Sequence, residues 1–349
     1  MMDQGRIKVK HKGLMIFLVI LLILAATVLW MQYRIRSQSA QAEQRIEQDR
    51  QEEHAASKVY FTNDLTSEGM IRVYEALGFQ TEGTVAIKLS TGEAGGNYYL
   101  HPDLIQGIVD RVDGTIVECN TAYGGSRAAT AEHMQVAKDH GFTEIAEVDI
   151  MDAQGSVSLP VEDGIFMKEN LVGSNLENYG SMIVLSHFKG HAMAGYGGAI
   201  KNISIGIASA SGKSLIHSSG SFSASWGWMA GAMFKPQEHF LAAMAESGKS
   251  VSEYFGNGDN IVYINVLNNI SIDCDCDSNP SVPEIHDIGI LASTDPVALD
   301  QACIDLVYGA EGSSSLINRI EDRNGLYTLD YAQAIGLGSK EYELISIDE

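Results

Sequence analysis

Seventeen residues near the middle of the chain combine ion-binding side chains with a glycine-rich backbone. The segment "SHFKGHAMAGYGGAIKN", residues 186–202, contains His187, Lys189, His191 and Lys201. Neutral imidazoles bind transition metals or relay protons, and lysine ammonium groups bind phosphate or carboxylate. The segment therefore predicts a metal or a proton-transferring histidine beside an anionic ligand. His187, His191 and Lys201 are the candidate catalytic residues.

The glycines of this segment predict a loop that lets a ligand approach the main chain. Gly195, Gly197 and Gly198 can adopt positive φ and leave backbone N–H groups uncovered. With Lys189 and Asn202 they form a candidate anion-binding group. The spacing matches neither the P-loop nor the dinucleotide-binding motif. A purely structural glycine turn is the alternative.

The two histidines have the spacing of metal ligands on one helix face. His187 and His191 are four residues apart, as in zinc motifs of the H-E-x-x-H type. Gly190 lies between them and the glutamate is missing, so a loop is an equal alternative to a helix. One of the two could instead pack or cap within the fold.

The segment "DCDCD", residues 273–277, places Cys274 and Cys276 on one face of an extended chain. Two such thiolates can bind a soft metal or an iron–sulfur iron, or they can form a disulfide. A tetrahedral site needs further ligands, and His187, His191 and His286 are the candidates. The alternatives are a hard cation held by the three aspartates, or an acidic surface turn.

Polar groups also follow the predicted strand that ends near Thr121. In "ECNTAYGGSR", residues 118–127, Asn120 and Arg127 are candidate anion-binding residues because guanidinium groups pair well with carboxylate or phosphate. Ordinary turn chemistry explains them equally well.

Alternating strands and helices must position these segments. From residue 58 onward, apolar runs alternate with amphipathic segments, which predicts an α/β fold with a mostly parallel, helix-covered sheet. In such sheets ligands bind beyond the carboxyl ends of the strands. Strands are predicted at 58–63, 84–90, 115–121, 144–150, 181–187, 260–271, 287–293 and 341–347. Helices are predicted at 67–77, 102–112, 127–140, 237–255, 296–309 and 313–323.

The front of the chain predicts one transmembrane helix ahead of this fold. We divide the chain into a basic tail (1–13), a transmembrane anchor (14–33), a polar stalk or linker (34–57) and the α/β domain (58–349). The apolar run is long enough to span about 30 Å of hydrocarbon. A cleaved signal peptide is the alternative, since "AQA" at 40–42 is a formal A-x-A site.

Basic residues flank the apolar run on both sides, so the charge rule for orientation is nearly balanced. The short, almost purely basic tail favours an N-terminus inside the cell. The expected location is therefore the cell membrane, single-pass, with the main domain outside the cytoplasm.

Composition excludes several classes of protein. The 349 residues carry a formal net charge of −22, which argues against nucleic-acid binding because phosphate backbones are repelled. The four cysteines are too few for a disulfide scaffold, and none forms a CxxC motif.

The motif segments together resemble the family called domain of unknown function 362, often labelled iron–sulfur centre proteins. The resemblance rests on "VAIKLS", "VECNTAYGGSRAAT", "HFKGHAMAGYGGAIKN", "DCDCD" and "DIGILASTDPVALDQACIDL", in the family's order. It runs from about Val59 to Leu306 and therefore covers most of the region after the predicted anchor and stalk. A weaker likeness, through the histidine, glycine and lysine block alone, is to lactate racemases, which bear a nickel-containing cofactor.

What this resemblance implies is limited, because the family's reaction is not established. Many members carry a CxxCxxCxxxCP ferredoxin module, and this sequence has none. The features that correspond are the His187/His191 pair, the glycine loop with Lys201, and the Cys274/Cys276 pair.

The sequence thus predicts a membrane-anchored protein that uses a transition metal or an Fe–S centre for redox chemistry on a small anionic substrate. The alternative is a non-catalytic module that binds an anion or a metal at the cell surface. A third interpretation is a structural domain whose glycine loop only packs. The sequence identifies neither the substrate, the metal nor the oligomeric state.

Overall fold

The computed structural model describes residues 4–224, 229 and 233–348 of the chain. It separates into two compact units, Met1–Gln44 and Arg45–Glu349. The first three residues of the predicted basic tail lie outside the described residues.

One long helix, α1 (Gln4–Asp49), forms the N-terminal part of the chain. Its stretch from Met15 to Asp49 includes a window with a mean hydropathy of 2.6, and no residue of that window is buried. By length and composition it can cross a membrane, although a signal sequence meets the same criteria. This confirms the prediction of one N-terminal apolar helix of spanning length.

The second unit is built on an eight-stranded sheet in the order β12-β1-β11-β10-β7-β2-β3-β4. All neighbouring strands are parallel except for the two pairs that β11 makes. These eight strands are β1 (Ser57–Thr62), β2 (Val85–Lys88), β3 (Thr115–Glu118), β4 (Val148–Ile150), β7 (Ser181–His187), β10 (Ile261–Leu267), β11 (Gly289–Ser293) and β12 (Tyr342–Ser346). The predicted α/β fold with a mostly parallel sheet is confirmed.

Two small hairpins accompany the sheet. They pair β5 (Ser156–Pro160) with β6 (Glu169–Gly173), and β8 (Lys189–His191) with β9 (Gly195–Gly197). The second hairpin lies within the segment 186–202, which also includes the end of β7 and the start of the following helix. His187 and His191 therefore lie at the end of β7 and in β8, and not on one helix face.

Helices cover both faces of the sheet. They are α2 (Ser67–Ala76), α3 (Pro102–Val112), α4 (Thr130–Asp139), α5 (Phe142–Ile145), α6 (Ala199–Ser204), α7 (Ala210–His217), α8 (Gln237–Tyr254), α9 (Pro296–Gly309), α10 (Ser314–Asp322) and α11 (Tyr327–Ala334), with a 3-10 turn at Ser174–Asn178.

The central strands have no solvent-exposed face, which is why their sequences are continuous apolar runs. All seven residues of β7 and all seven of β10 are buried. On one face, Ile183 and Leu185 belong to the same buried apolar cluster as Ile105 and Ile108 of α3. Helices α6 and α9 contact the sheet through β7 and β10. The carboxyl ends of β2, β3, β7 and β10 therefore lie side by side on a rigid frame.

Gly190 allows the β8–β9 hairpin to pack close to the chain that follows β10. A Cβ atom at this position would lie 2.2 Å from the carbonyl oxygen of Ile272, and the Gly190 N–H donates to Ser271 at 2.8 Å. Any larger side chain would push the two segments apart. This contact brings the cysteine-containing turn beside the histidine segment.

Candidate functional site

A cavity of about 80 Å³ lies at the carboxyl ends of β2, β3 and β7. This is the place where parallel α/β sheets bind ligands. The cavity is lined by the strand ends, by the hairpin and α6, and by the cysteine turn. Its five cationic side chains are Lys88, Arg127, Lys189, Lys201 and Lys213. Among the described residues that line the cavity, only Glu118 has a carboxylate side chain.

Two of these lysines are held by oxygen atoms of the protein. The ammonium of Lys88, at the end of β2, donates to the Leu89 carbonyl at 2.6 Å and to Asn202 Oδ1 at 2.9 Å. Lys213 donates to the Ala208 carbonyl at 2.6 Å. Burial lowers the pKa of both side chains, that of Lys88 to about 8. Both side chains add positive charge to the cavity wall.

Arg127 belongs to an ion-pair network in the wall. Its guanidinium lies 3.3 Å from Glu93 Oε2 and 3.4 Å from Glu118 Oε1. Burial acts to raise the pKa of the Glu118 carboxyl, but Arg127 and His133 hold it well below its usual value. Two carboxylates therefore compensate Arg127.

Lys189 and His187 share one buried carboxylate. Asp275 Oδ2 lies 2.6 Å from the Lys189 ammonium, and Asp275 Oδ1 lies 2.8 Å from His187 Nδ1. His187 Nε2 lies 2.7 Å from the Asn268 carbonyl oxygen. Both ring nitrogens therefore face oxygen acceptors. A role for His187 as metal ligand or acid/base stays a prediction, since either would require the ring to give up one of these contacts.

Lys201 differs from the other cavity lysines. It lies on α6, is partly buried, and its ammonium has no hydrogen-bond partner among the described residues. Burial and the nearby Lys189 lower its pKa to about 7. Asp275 is the nearby negative charge, but it is hydrogen-bonded to Lys189, and no carboxylate among the described residues bonds the Lys201 ammonium.

The glycine loop places Lys201 but offers few free backbone donors. The N–H groups of Ala199 and Ile200 donate to the buried Asp300 carboxylate at 2.7 and 3.1 Å. Gly198 is required here, since a Cβ atom would lie 2.3 Å from Asp300 Oδ1. Burial raises the pKa of Asp300 to about 6. Asp300 thus occupies two backbone N–H groups at the start of α6, and anion binding by the glycine loop stays a prediction.

The remaining glycines and Asn202 have separate roles. Gly195 has a φ of 84°, as the loop prediction requires. Gly197 lies in β9, and a Cβ atom at this position would point towards the side chains of Lys201 and Lys189. The Asn202 amide donates to the Leu185 carbonyl at 3.0 Å while its oxygen receives Lys88. Asn202 therefore positions the Lys88 ammonium, and its role in anion binding stays a prediction.

Asn120 contacts protein groups and is not among the residues that line the cavity. Its side-chain amide donates to Thr130 Oγ1 at 3.0 Å, and its oxygen lies 3.3 Å from His133 Nδ1. Its predicted role in anion binding stays a prediction, and its contacts here are those of a turn residue.

The cysteine pair lies between the cavity and a wider outer cleft. Cys274 and Cys276 form a disulfide, in a turn that the Asp277 N–H closes on the Cys274 carbonyl. The sequence predicts the two cysteines on one face of an extended chain. The chain instead forms a turn here. Both cysteines and Tyr123 line the cavity and also the cleft, which has a volume of about 520 Å³.

His191 completes a three-residue cluster with the two cysteines. The candidate ligand atoms of His191, Cys274 and Cys276 lie within 4.8 Å of one another. His191 Nδ1 accepts hydrogen bonds from the N–H groups of Met193 and Ala194 at 3.2 and 2.9 Å. Burial, followed by repulsion from Lys201, keeps its pKa well below the usual value. The ring is therefore neutral. If either ring nitrogen bound a metal, Nδ1 would no longer accept the hydrogen bonds from Met193 and Ala194.

Sequence reasoning did not identify two of the cavity lysines. Lys88 ends the apolar strand "VAIK". A lysine is unusual in a strand that has no solvent-exposed face. Lys213 lies in "SGKS" of α7, outside the glycine-rich segment 186–202. A lysine at the carboxyl end of a fully apolar strand is the signal that could have drawn attention to Lys88.

Comparison with known proteins gives a family and two distant structural similarities. The family model described as Domain of unknown function (DUF362) matches residues 85–305. No curated protein matches the chain. The lactate racemase apoprotein from Thermoanaerobacterium thermosaccharolyticum is 13% identical with a TM-score of 0.42, covering 72% of this chain and 57% of that chain. A protein from Thermotoga maritima is 10% identical with a TM-score of 0.41, covering 70% and 58%.

The chain therefore spans less than three fifths of either of these two structures. Both similarities are too low to bear on function.

Proposed function

The chain belongs to the DUF362 family, and we propose that it binds a small anionic substrate in the cation-lined cavity, beside a cysteine centre with redox or metal chemistry. The observation that carries this proposal is the unpartnered ammonium of Lys201. It lines a cavity whose other lysines and arginine already have partners within the described part of the chain.

An uncompensated charge in a poorly solvated site is unfavourable, so a bound anion would relieve a cost that the empty protein carries. The size of the cavity limits the anion. A volume of about 80 Å³ gives room for roughly five to eight groups the size of a water molecule. Sulfate, phosphate and short carboxylates fall in this range.

We expect sulfate and lactate to bind, and to bind more weakly as pH rises from 6.5 to 9. Both ligands keep a constant charge over this range, whereas Lys201 and then Lys88 lose their protons near pH 7 and pH 8. A bound anion favours the protonated lysine, so binding takes up protons, and affinity falls by up to about tenfold per pH unit. Calorimetric titration of the full-length protein in detergent measures this.

Uncharged glycerol is the control ligand in that titration. If sulfate and lactate give no heat at either pH, or if their affinity rises with pH, the proposed anion site is wrong.

The cysteine centre carries a second candidate function, that of a redox or metal site. His191, Cys274 and Cys276 bring one nitrogen and two sulfur donors together at the cavity mouth. Soft donors of this kind suit Cu(I), zinc or an iron–sulfur iron, and thiolates become available only when the disulfide is reduced. Without a metal the same pair can accept and return two electrons as a disulfide.

We expect the reduced protein to bind about one soft metal ion per chain through this centre. Metal content and absorbance are compared, without air, for the wild type and for a Cys274→Ser/Cys276→Ser variant, with Cys303→Ala as a variant that leaves the pair intact. Metal lost only in the double variant supports the metal site. Absence of metal in all three, with reversible thiol titration in the wild type and in Cys303→Ala but not in the double variant, favours disulfide redox chemistry.

The non-catalytic alternative makes a different prediction for the same site. A binding module would be stabilised by the anion as RT ln(1 + [L]/Kd) but would not consume it. Product analysis after prolonged incubation, with the cysteine pair reduced, separates a binding module from an oxidoreductase.

The apolar helix adds a proposal about location. We place residues 14–33 in the cell membrane, with the basic tail inside and the main domain outside the cytoplasm. Protection of the main domain from protease in sealed right-side-out vesicles would contradict this orientation.

A further inference from the structure

We propose that Lys201 is a nucleophile that captures a small oxo acid in the cavity by forming a Schiff base with its carbonyl group. This inference rests on the proposed anion-binding function and names the substrate class for the same site.

The position of Lys201 distinguishes it from its neighbours. A lysine that attacks a carbonyl carbon must present a free nitrogen to the substrate. Lys88, Lys189 and Lys213 each use the ammonium in hydrogen bonds to fixed oxygen atoms. Among the cavity lysines in the described part of the chain, Lys201 alone has a nitrogen without such a partner.

The surroundings of Lys201 favour the neutral amine. Lys189 approaches from β8, Lys88 from β2 and Arg127 from the loop after β3, while Asp275 provides the nearby negative charge. His191 and His217 also face it and carry lowered pKa values. Burial and these cations bring the pKa of Lys201 to about 7, so a large share of the amine is unprotonated at neutral pH. Desolvation and neighbouring cations are the two ways in which proteins activate lysine for carbonyl chemistry.

The same cations select the substrate. A carboxylate would be attracted to the positively charged wall around Lys88, Lys189 and Arg127, which leaves the adjacent carbonyl group for Lys201. The cavity admits roughly five to eight heavy atoms. Short 2-oxo and 3-oxo carboxylates such as pyruvate and acetoacetate meet both requirements.

The covalent step is balanced without a further reactant. The Lys201 nitrogen adds to the carbonyl carbon, the C=O bond breaks, and a C=N bond forms. Taken from the ammonium form, two of its three protons leave with the carbonyl oxygen as water, and one stays on the iminium nitrogen. The positive charge is conserved, and no electrons are exchanged with an external donor.

Reductive trapping tests the inference. The full-length protein in detergent is incubated at pH 7.5 with pyruvate or acetoacetate and sodium cyanoborohydride, and the adduct is located by peptide mass mapping. Lactate, which has a hydroxyl in place of the carbonyl, is the unreactive analogue. Lys201→Arg keeps the charge but cannot form the iminium, and Lys138→Arg is the matched change at an exposed lysine of α4.

We expect one adduct on Lys201 in the wild type and in Lys138→Arg, and none in Lys201→Arg, which still binds lactate. Peptide mapping of the wild type gives the answer even if Lys201→Arg does not fold. Adducts only on other lysines, or lactate binding with no adduct, would overturn the Schiff-base inference and leave the anion site standing. Failure of both lactate and pyruvate to bind would overturn the anion site as well.

Discussion

Replacement of Lys201 by glutamine is expected to weaken sulfate and lactate binding by about 10- to 100-fold. Its ammonium is the cavity cation that lacks a hydrogen-bond partner among the described residues, so it is free to bind the ligand directly. A hydrogen bond to a charged group contributes about 1.5–3 kcal/mol, and each 1.4 kcal/mol corresponds to a tenfold change in affinity. Calorimetric titration at pH 6.5 measures the loss.

The same substitution is expected to stabilise the empty protein. Burial and the nearby Lys189 lower the pKa of Lys201 in the folded protein to about 7, below the ordinary lysine value of 10.5, so the charged side chain destabilises the fold fully below pH 7. This cost fades as pH rises from 7 towards 10.5. Lys201→Gln should therefore raise the melting temperature most at pH 6.5 and less at pH 9.

Lys138→Gln is the matched control, because Lys138 is exposed on α4 and does not line the cavity. Weaker binding with higher stability is expected of a residue selected for a ligand. Unchanged affinity in Lys201→Gln would show that the anion, if bound, lies elsewhere. A fall in both affinity and stability would mean that Lys201 is a packing residue.

The framework of the site could be predicted from the sequence because it depends on local patterns. The apolar runs at 181–187 and 287–293 became β7 and β11, and their length and composition set them apart from amphipathic helices. Because ligands bind at the carboxyl ends of parallel strands, the histidine segment and Arg127 could be predicted to lie at the same edge of the sheet. Both line the cavity there.

The partners of the charged residues could not be predicted, because they are distant in the chain. Asp275 is 88 residues from His187 and 86 from Lys189, and no periodicity relates these positions. Asp300 likewise accepts from the N–H of Ala199 across 101 residues and so occupies a backbone donor directly after the glycine loop. The sequence shows which residues are polar. Which of their charges remain uncompensated depends on the packing of α9 and of the cysteine turn.

The carboxylate of Asp275 is expected to be the charge on which the fold of the site depends most. It is buried and bridges the Lys189 ammonium and the His187 ring. Burial by itself would raise the pKa of Asp275, but Lys189 and His187 hold it well below its usual value. Asp275 therefore remains charged in the folded protein at every pH at which the protein would be handled.

Asp275→Asn should lower the free energy of unfolding by about 3–5 kcal/mol at pH 7, because it leaves a buried ammonium and a histidine without their carboxylate. Urea denaturation followed by circular dichroism measures the change. Asp277→Asn, two residues on and exposed, should cost less than about 1 kcal/mol. The lowered pKa stabilises the fold above the unfolded-state value near 4, so the difference from wild type should shrink below that pH. Equal stability of the two variants at pH 7 would mean that Lys189 and His187 do not need Asp275, and the Lys189 ammonium would then be a second uncompensated charge in the cavity.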